Sequence, residues 1–215
     1  MFSFTILGAF LKHIYTIGHS IYGSEDFVKL LQKNSINTLV DVRSTPYSKF
    51  APQYNKESLN QFLKQQHIAY IYMGDMLGAR YEDKSLLFHD GKVNFKKVQE
   101  TKTFQEGISR LDKGISKGYT ISLMCSEKEA FDCHRFGLIS EFLTKQGIYV
   151  DHIYPDKVVS QHELEQHLLK KYEKKLPHVD LFHQHIDNET LLTLAYEFRN
   201  LDIGYNALTK EGDEE

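Results

Sequence analysis

Between His13 and Tyr154 the chain alternates short β-branched or aromatic runs with stretches whose apolar residues recur at helical spacing. The runs are "HIYTIG" from His13, "NTLVDVRS" from Asn37, "IAYIYM" from Ile68, "YTISLMCS" from Tyr119 and "YVDHIY" from Tyr149. Each has the length and composition of a buried strand. Between them lie helical faces. Phe27, Leu30 and Leu31 follow an N-cap at Ser24, and Leu59, Phe62 and Leu63 fall within Asn55 to Gln66. Phe104, Ile108 and Leu111 carry a third face, and Phe136, Ile139, Phe142 and Leu143 a fourth. A strand that returns through a helix pairs in parallel with its predecessor, and the helices then cover the sheet. The predicted fold is α/β, with a mostly parallel open sheet of about five strands and helices on both faces. It occupies residues 12–155 as one domain. Residues 156–215 form a C-terminal helical extension packed on that core, from "SQHELEQHLLKKYEKK" through "ETLLTLAYEFRN" to a frayed acidic end.

Composition narrows the function classes. The 215 residues are 41% hydrophobic, enough for a full core, and a net charge of -3 gives no global attraction to nucleic acid or anionic membrane. Two cysteines make no disulfide framework and suit a reducing cytoplasm. The apolar opening "MFSFTILGAFL" has no basic n-region and is too short to span a bilayer, so it reads as a packed N-terminal extension. Gly74 to Asn94, rich in Gly, Asp and Lys, reads as a long loop of the kind that often carries function.

In a parallel sheet, ligands bind outside the carboxyl ends of the strands. Three of the predicted strands end there in polar runs: Gly18-His19-Ser20, Asp41-Val42-Arg43-Ser44 and Cys125-Ser126-Glu127. The next helix starts near Cys133-His134-Arg135. These segments are expected to meet on one rim.

Several chemistries are open to such a cluster. Cys125, Cys133, His134 and His19 offer metal donors. However, seven residues separate the two cysteines and Cys133 abuts His134, which is not a usual zinc spacing. No metal is assigned on that ground. Cys133 near a helix N-terminus, beside His134 and Arg135, is placed where a thiol pKa falls, and Cys125 sits where α/β enzymes present nucleophiles. Glu127 and His19 are candidate proton-transfer groups. The plainer alternative is a pair of inert packed cysteines. Arg43 and Arg135, with the Ser44 and Ser126 hydroxyls, make a candidate cradle for phosphate or carboxylate. Tyr47 and Tyr54 are candidate stacking groups for a base or sugar. A salt bridge from either arginine to Asp41 or Glu127 is the competing structural role.

The segments "YTIGHS", "LVDVRS" with Pro46 and Ser48 following, "LG" after the third strand, and "LMCSE" leading to "CHR" and "LI" resemble the domain-of-unknown-function 488 family. The resemblance covers about Tyr15 to Ile153. It implies a single α/β domain of prokaryotic, cytoplasmic type and no established reaction. The motif residues it carries over are His19, Arg43, Ser44, Pro46, Cys125, Glu127, Cys133, His134 and Arg135. Ala79 stands where a second glycine is usual, which implies a specialised ligand-facing loop.

The resulting expectation is a cytoplasmic enzyme, a thiol- or acid/base-dependent hydrolase or transferase, binding a phosphorylated or nucleotide-like ligand at the carboxyl rim. Arg43, Arg135, Ser44, Ser126, Tyr47 and Tyr54 would bind the ligand. Cys125, Glu127, Cys133, His134 and His19 would supply the chemistry. A nucleic-acid-processing module and a metal or thiol redox sensor are the alternatives. The sequence names no cofactor and no oligomeric state.

Overall fold

The computed structural model describes residues 11–177 and 186–209. The apolar opening up to residue 10 and the acidic end from residue 210 lie outside them. Six strands form one sheet: β1 (His13–Gly18), β2 (Thr38–Asp41), β3 (Ala69–Tyr72), β4 (Ile121–Cys125), β5 (Tyr149–Ile153) and β6 (Val158–Ser160). Their order is β3-β2-β4-β1-β5-β6. All neighbours pair in parallel except β5 and β6, which form an antiparallel edge. The five expected strands are present, and β6 is an addition. It is three residues long, too short to show a periodicity.

The helices are α1 (Ser24–Lys33), α2 (Lys56–Gln65), α3 (Gly74–Leu77), α4 (Phe95–Gln99), α5 (Lys102–Ser116), α6 (Glu141–Lys145), α7 (Gln161–Tyr172) and α8 (Asn188–Ile203). Gly23, not Ser24, is the N-cap of α1. Thr101 caps α5 by accepting from the Phe104 amide, and Ser160 and Glu163 form a reciprocal capping box on α7. Gly118, at φ +84°, ends the turn after α5, a conformation that glycine adopts without steric cost. The predicted long loop is broken by α3, a 3₁₀ turn at Lys84–Leu86 and a bridge between Leu87 and Val93. It is also pinned from afar, because buried Asn200 of α8 donates to the Val93 carbonyl and accepts from the Phe95 amide.

The two faces of the sheet follow from the two-residue period of its strands. Val40, Val42, Leu123 and Cys125 pack with Phe95, Val98, Phe104 and Leu111. On the other face Leu39, Met124 and Ile17 pack with Phe27, Leu31, Leu59 and Leu63. A third cluster, with Phe131, Phe136, Tyr154, Leu168 and Tyr196, joins α7 and α8 to the core. Cys125 therefore points to the α4–α5 face, and Asp41 and Arg43 share the parity of Leu39. No helix among the described residues is long and apolar enough to cross a membrane.

Candidate functional site at the carboxyl rim

The chain lays β4 between β1 and β2, so the three strands with polar ends are adjacent. The amide of His19 donates to the Cys125 carbonyl, that of Ser20 to the Ser126 carbonyl, and that of Val42 to the Met124 carbonyl. Two glycines permit the close crossings. A Cβ on Gly18 would lie 1.9 Å from the Glu127 carbonyl oxygen, and one on Gly74 would lie 1.9 Å from that of Arg43.

Two polar clusters result. In the first, Asp41 is fully buried and receives Arg43 Nε at 2.9 Å and Nη2 at 2.6 Å, with the Tyr70 hydroxyl at 2.6 Å. Arg43 also donates from Nη2 to the Tyr54 carbonyl at 2.8 Å and pairs through Nη1 with His19 Nε2 at 3.1 Å. His19 Nδ1 lies 2.8 Å from the Ser20 carbonyl, so Nδ1 donates and Nε2 accepts. The ring stacks on Tyr54 at 4.1 Å. Burial and the Arg43 charge lower its pKa to about 4, which keeps it neutral.

The second cluster carries the sulfur. The chain leaves β4 at Cys125, loops through Glu127 and re-enters helix at His134. The wide π turn Arg135–Ser140 follows and leads into α6, a distortion found often at functional sites. His134 Nδ1 lies 3.6 Å from both Cys125 Sγ and Cys133 Sγ, and Cys133 Sγ lies 3.0 Å from Glu127 Oε2. His134 Nε2 is 3.2 Å from the Val42 carbonyl, which fixes the Nε2–H tautomer and turns Nδ1 toward the sulfurs. Arg135 is buried and donates to the Glu127 and Lys128 carbonyls at 2.7 and 2.9 Å.

Electrostatics divide the two thiols. Burial alone would raise Cys133, but the hydrogen bond from Cys125 and the charges of Arg135 and His134 outweigh it and hold the thiol well below its ordinary value. Burial, reinforced by the charge on Cys133, drives Cys125 well up. Burial and Cys133 also raise Glu127, and Cys133 raises His134 against the opposing effect of burial.

Both clusters face a polar cavity of about 210 Å³. Cys125, Glu127, Cys133 and His134 form one wall, with Ser126 beside them. Ser44, Thr45 and the exposed Arg80 and Asp132, with Ile203 and Tyr205, complete the lining.

The expected site residues thus divide. Cys125, Glu127, Cys133, His134, Ser44, Ser126 and Arg43 meet at the cavity. His19 does not line it, and both of its ring nitrogens are already engaged. Arg43 lines the cavity, while Asp41, Tyr54 and His19 take its side-chain contacts. Arg135 is turned to backbone carbonyls behind the wall. The competing salt-bridge role describes Arg43, with Asp41 as partner. Neither tyrosine stacks at the cavity. Tyr54 is core and donates to the Tyr22 carbonyl, while exposed Tyr47 donates to Glu57. Of the residues expected to form a strand-binding groove, Arg43, Arg135 and Tyr54 are buried and Tyr47 is exposed.

Arg80 is the cation that sequence reasoning passed over. It follows the "LG" turn, where the Ser44 hydroxyl accepts from the Ala79 and Arg80 amides at 3.0 and 3.1 Å. Its guanidinium lies over the Tyr205 ring at 5.1 Å.

Comparison with curated proteins and with solved structures returned no match. A family model, "Domain of unknown function DUF488", matches residues 24–143, more than half of the chain. The match takes in the sulfur cluster and Arg80 and begins after His19. The chain belongs to the DUF488 family.

Proposed function

We propose that the protein is an enzyme that binds a phosphorylated or nucleotide-like small molecule in the rim cavity, with Cys125, Glu127, Cys133 and His134 as its chemical wall. The observation that carries this reading is the cavity's composition. A thiol pair, an imidazole and two carboxylates line one small polar space together with hydroxyls and an exposed guanidinium. Arg80 is the direct anion contact, assisted by the hydroxyls of Thr45 and Ser126, while the buried Arg135 adds positive potential, the Arg43 charge being paired with Asp41. The cavity holds a phosphorylated group or part of a nucleotide, and a larger ligand continues past Arg80 into solvent. Two free thiols fit a reducing compartment such as the cytoplasm.

The test is a thermal-shift panel of phosphorylated metabolites and nucleotides on the parent and on Arg80→Ala. A ligand at about 100 times its Kd adds roughly 2.7 kcal/mol and raises Tm by several degrees. Arg80→Ala should lose most of that shift while keeping the ligand-free Tm. A panel without any stabilising member, or a shift undiminished in Arg80→Ala, would sink the reading.

A further inference from the structure

The sulfur wall has a geometry that a pair of packed cysteines does not need. Cys125 Sγ, Cys133 Sγ, His134 Nδ1 and a Glu127 carboxylate oxygen all lie within 4.8 Å of one another. A tetrahedral zinc with bonds of about 2.3 Å to sulfur and 2.05 Å to nitrogen separates neighbouring sulfur and nitrogen ligands by about 3.6 Å. Both Sγ to Nδ1 distances are 3.6 Å. The imidazole is also oriented as a ligand is. Its Nε2–H is held by a backbone carbonyl, which leaves the Nδ1 lone pair aimed between the sulfurs.

We infer that Cys125, Cys133 and His134 bind one zinc-class divalent cation, with Glu127 as the fourth ligand. Two thiolates and an imidazole select a borderline-soft metal such as zinc over magnesium or calcium. The donors bind as thiolates, neutral imidazole and carboxylate, so any protons they hold leave to solvent on binding, and no electron moves. Two thiolates, one carboxylate and a divalent cation sum to one negative charge, which the buried Arg135 offsets. The Arg135 amide, 3.5 Å from Cys133 Sγ, is placed to donate to that sulfur. Its side chain ties down the Glu127 and Lys128 carbonyls and so holds the bend that carries the fourth ligand.

The spacing of seven residues between the cysteines, which argued against zinc, is overcome by the fold. β4 delivers Cys125 and the return of the chain at Ala130–Cys133 delivers the second sulfur, the Cys133 amide donating to the Ala130 carbonyl. All four donors line the cavity; Glu127 is exposed as a residue while the other three are buried, and its carboxylate reaches in to 3.0 Å from Cys133 Sγ, so it is the ligand nearest solvent. The metal centre stands on ligand geometry alone. Its use as a Lewis acid toward a ligand in the cavity rests on the enzymatic reading above.

The experiment is metal analysis of the full chain, purified reduced and without chelator, followed by anaerobic titration of chelator-treated protein with Zn²⁺ and Co²⁺. One equivalent of metal per chain is expected, and Co²⁺ should give the near-ultraviolet thiolate charge-transfer absorption of a sulfur-ligated site. Cys125→Ser, Cys133→Ser and His134→Ala should each weaken binding by at least tenfold. Glu127→Gln should retain the metal with lower affinity. Circular dichroism of the metal-free variants separates lost binding from lost folding, and the parent titration stands whether or not a variant folds. Absence of a stoichiometric tight site in the reduced parent would overturn the inference. So would metal binding that survives in the Cys125→Ser/Cys133→Ser double variant. The panel with Arg80→Ala, run with and without chelator, keeps the two readings apart. Anion binding without metal removes the centre and keeps the cavity, and metal without anion binding does the reverse.

Discussion

Asp41 accepts four hydrogen bonds: from the Arg43 amide, Nε and Nη2, and from the Tyr70 hydroxyl. With Asp41 fully buried and Arg43 nearly so, removing one partner leaves the other as an uncompensated buried charge. Asp41→Ala should therefore cost roughly 3–5 kcal/mol, read as a fall in the urea midpoint at unchanged slope. Tyr70→Phe, which removes one donor, should cost about 1 kcal/mol. Equal effects from the two would show that the pair is not the support it is taken for. The identities of Asp41, Arg43 and His19 were legible as polar residues at strand ends. Their roles were not, because the choice between a salt bridge and a free arginine depends on whether a carboxylate two residues away shares its face. The strand period gives Asp41 and Arg43 that shared face, and the burial on it decided the pairing. Arg80 was hidden for a different reason. It sits in an irregular turn where no periodicity says which way a side chain points.

At the scale of elements, the rim depends on chain segments crossing β1 and β2 with no side chain between. Gly18→Ala must push the Glu127–Lys128 backbone away from β1. The cost expected is about 1–3 kcal/mol, the range for overpacking, together with weakened metal binding as the bend that carries Glu127 is displaced. Gly23→Ala is the matched control, since nothing lies within 4 Å of its added Cβ. Comparable losses in both would mean that the crossing at Gly18 is not what positions the site. The strands and most helices could be read from the sequence because each buries a periodic face. β6 and α3 could not, being three and four residues long. The long loop after β3 is mostly irregular, as expected, but how it is held could not be read from the sequence. Its order comes from Asn200 and Tyr205, over a hundred positions later, and the Val93 amide donates to the Tyr205 carbonyl.

Across the whole molecule, one buried chain of polar contacts joins the sheet to the C-terminal helices. Thr16 Oγ1 meets His152 Nδ1 at 2.7 Å, and His152 Nε2 meets Gln161 Oε1 at 2.8 Å. Gln161 then donates to the Tyr196 hydroxyl, which donates to Glu165. Burial, then the Arg135 charge, lowers the His152 pKa to about 3, with Cys133 and the Gln161 contact acting the other way. The folded protein keeps this ring neutral while the unfolded chain protonates it near its ordinary value. Its contribution to stability is therefore whole above about pH 6.5 and falls by up to about 1.4 kcal/mol per pH unit as pH drops toward 3. His19, lowered to about 4, adds to the same loss. Glu165, whose carboxyl burial raises, works in the opposite direction, so the quantity to measure is the difference between parent and His152→Gln. Urea unfolding at pH 7 and pH 5 should show the parent losing more stability than the variant. An identical loss would remove His152 from the account. Finally, Ile203 and Tyr205 border the cavity from a part of the chain outside the family-matched residues, while the sulfur wall lies within them. The sulfur wall and this apolar border are thus separate parts of the chain. Exchanging residues 203–205 would change which molecules fit the cavity and leave the sulfurs where they are.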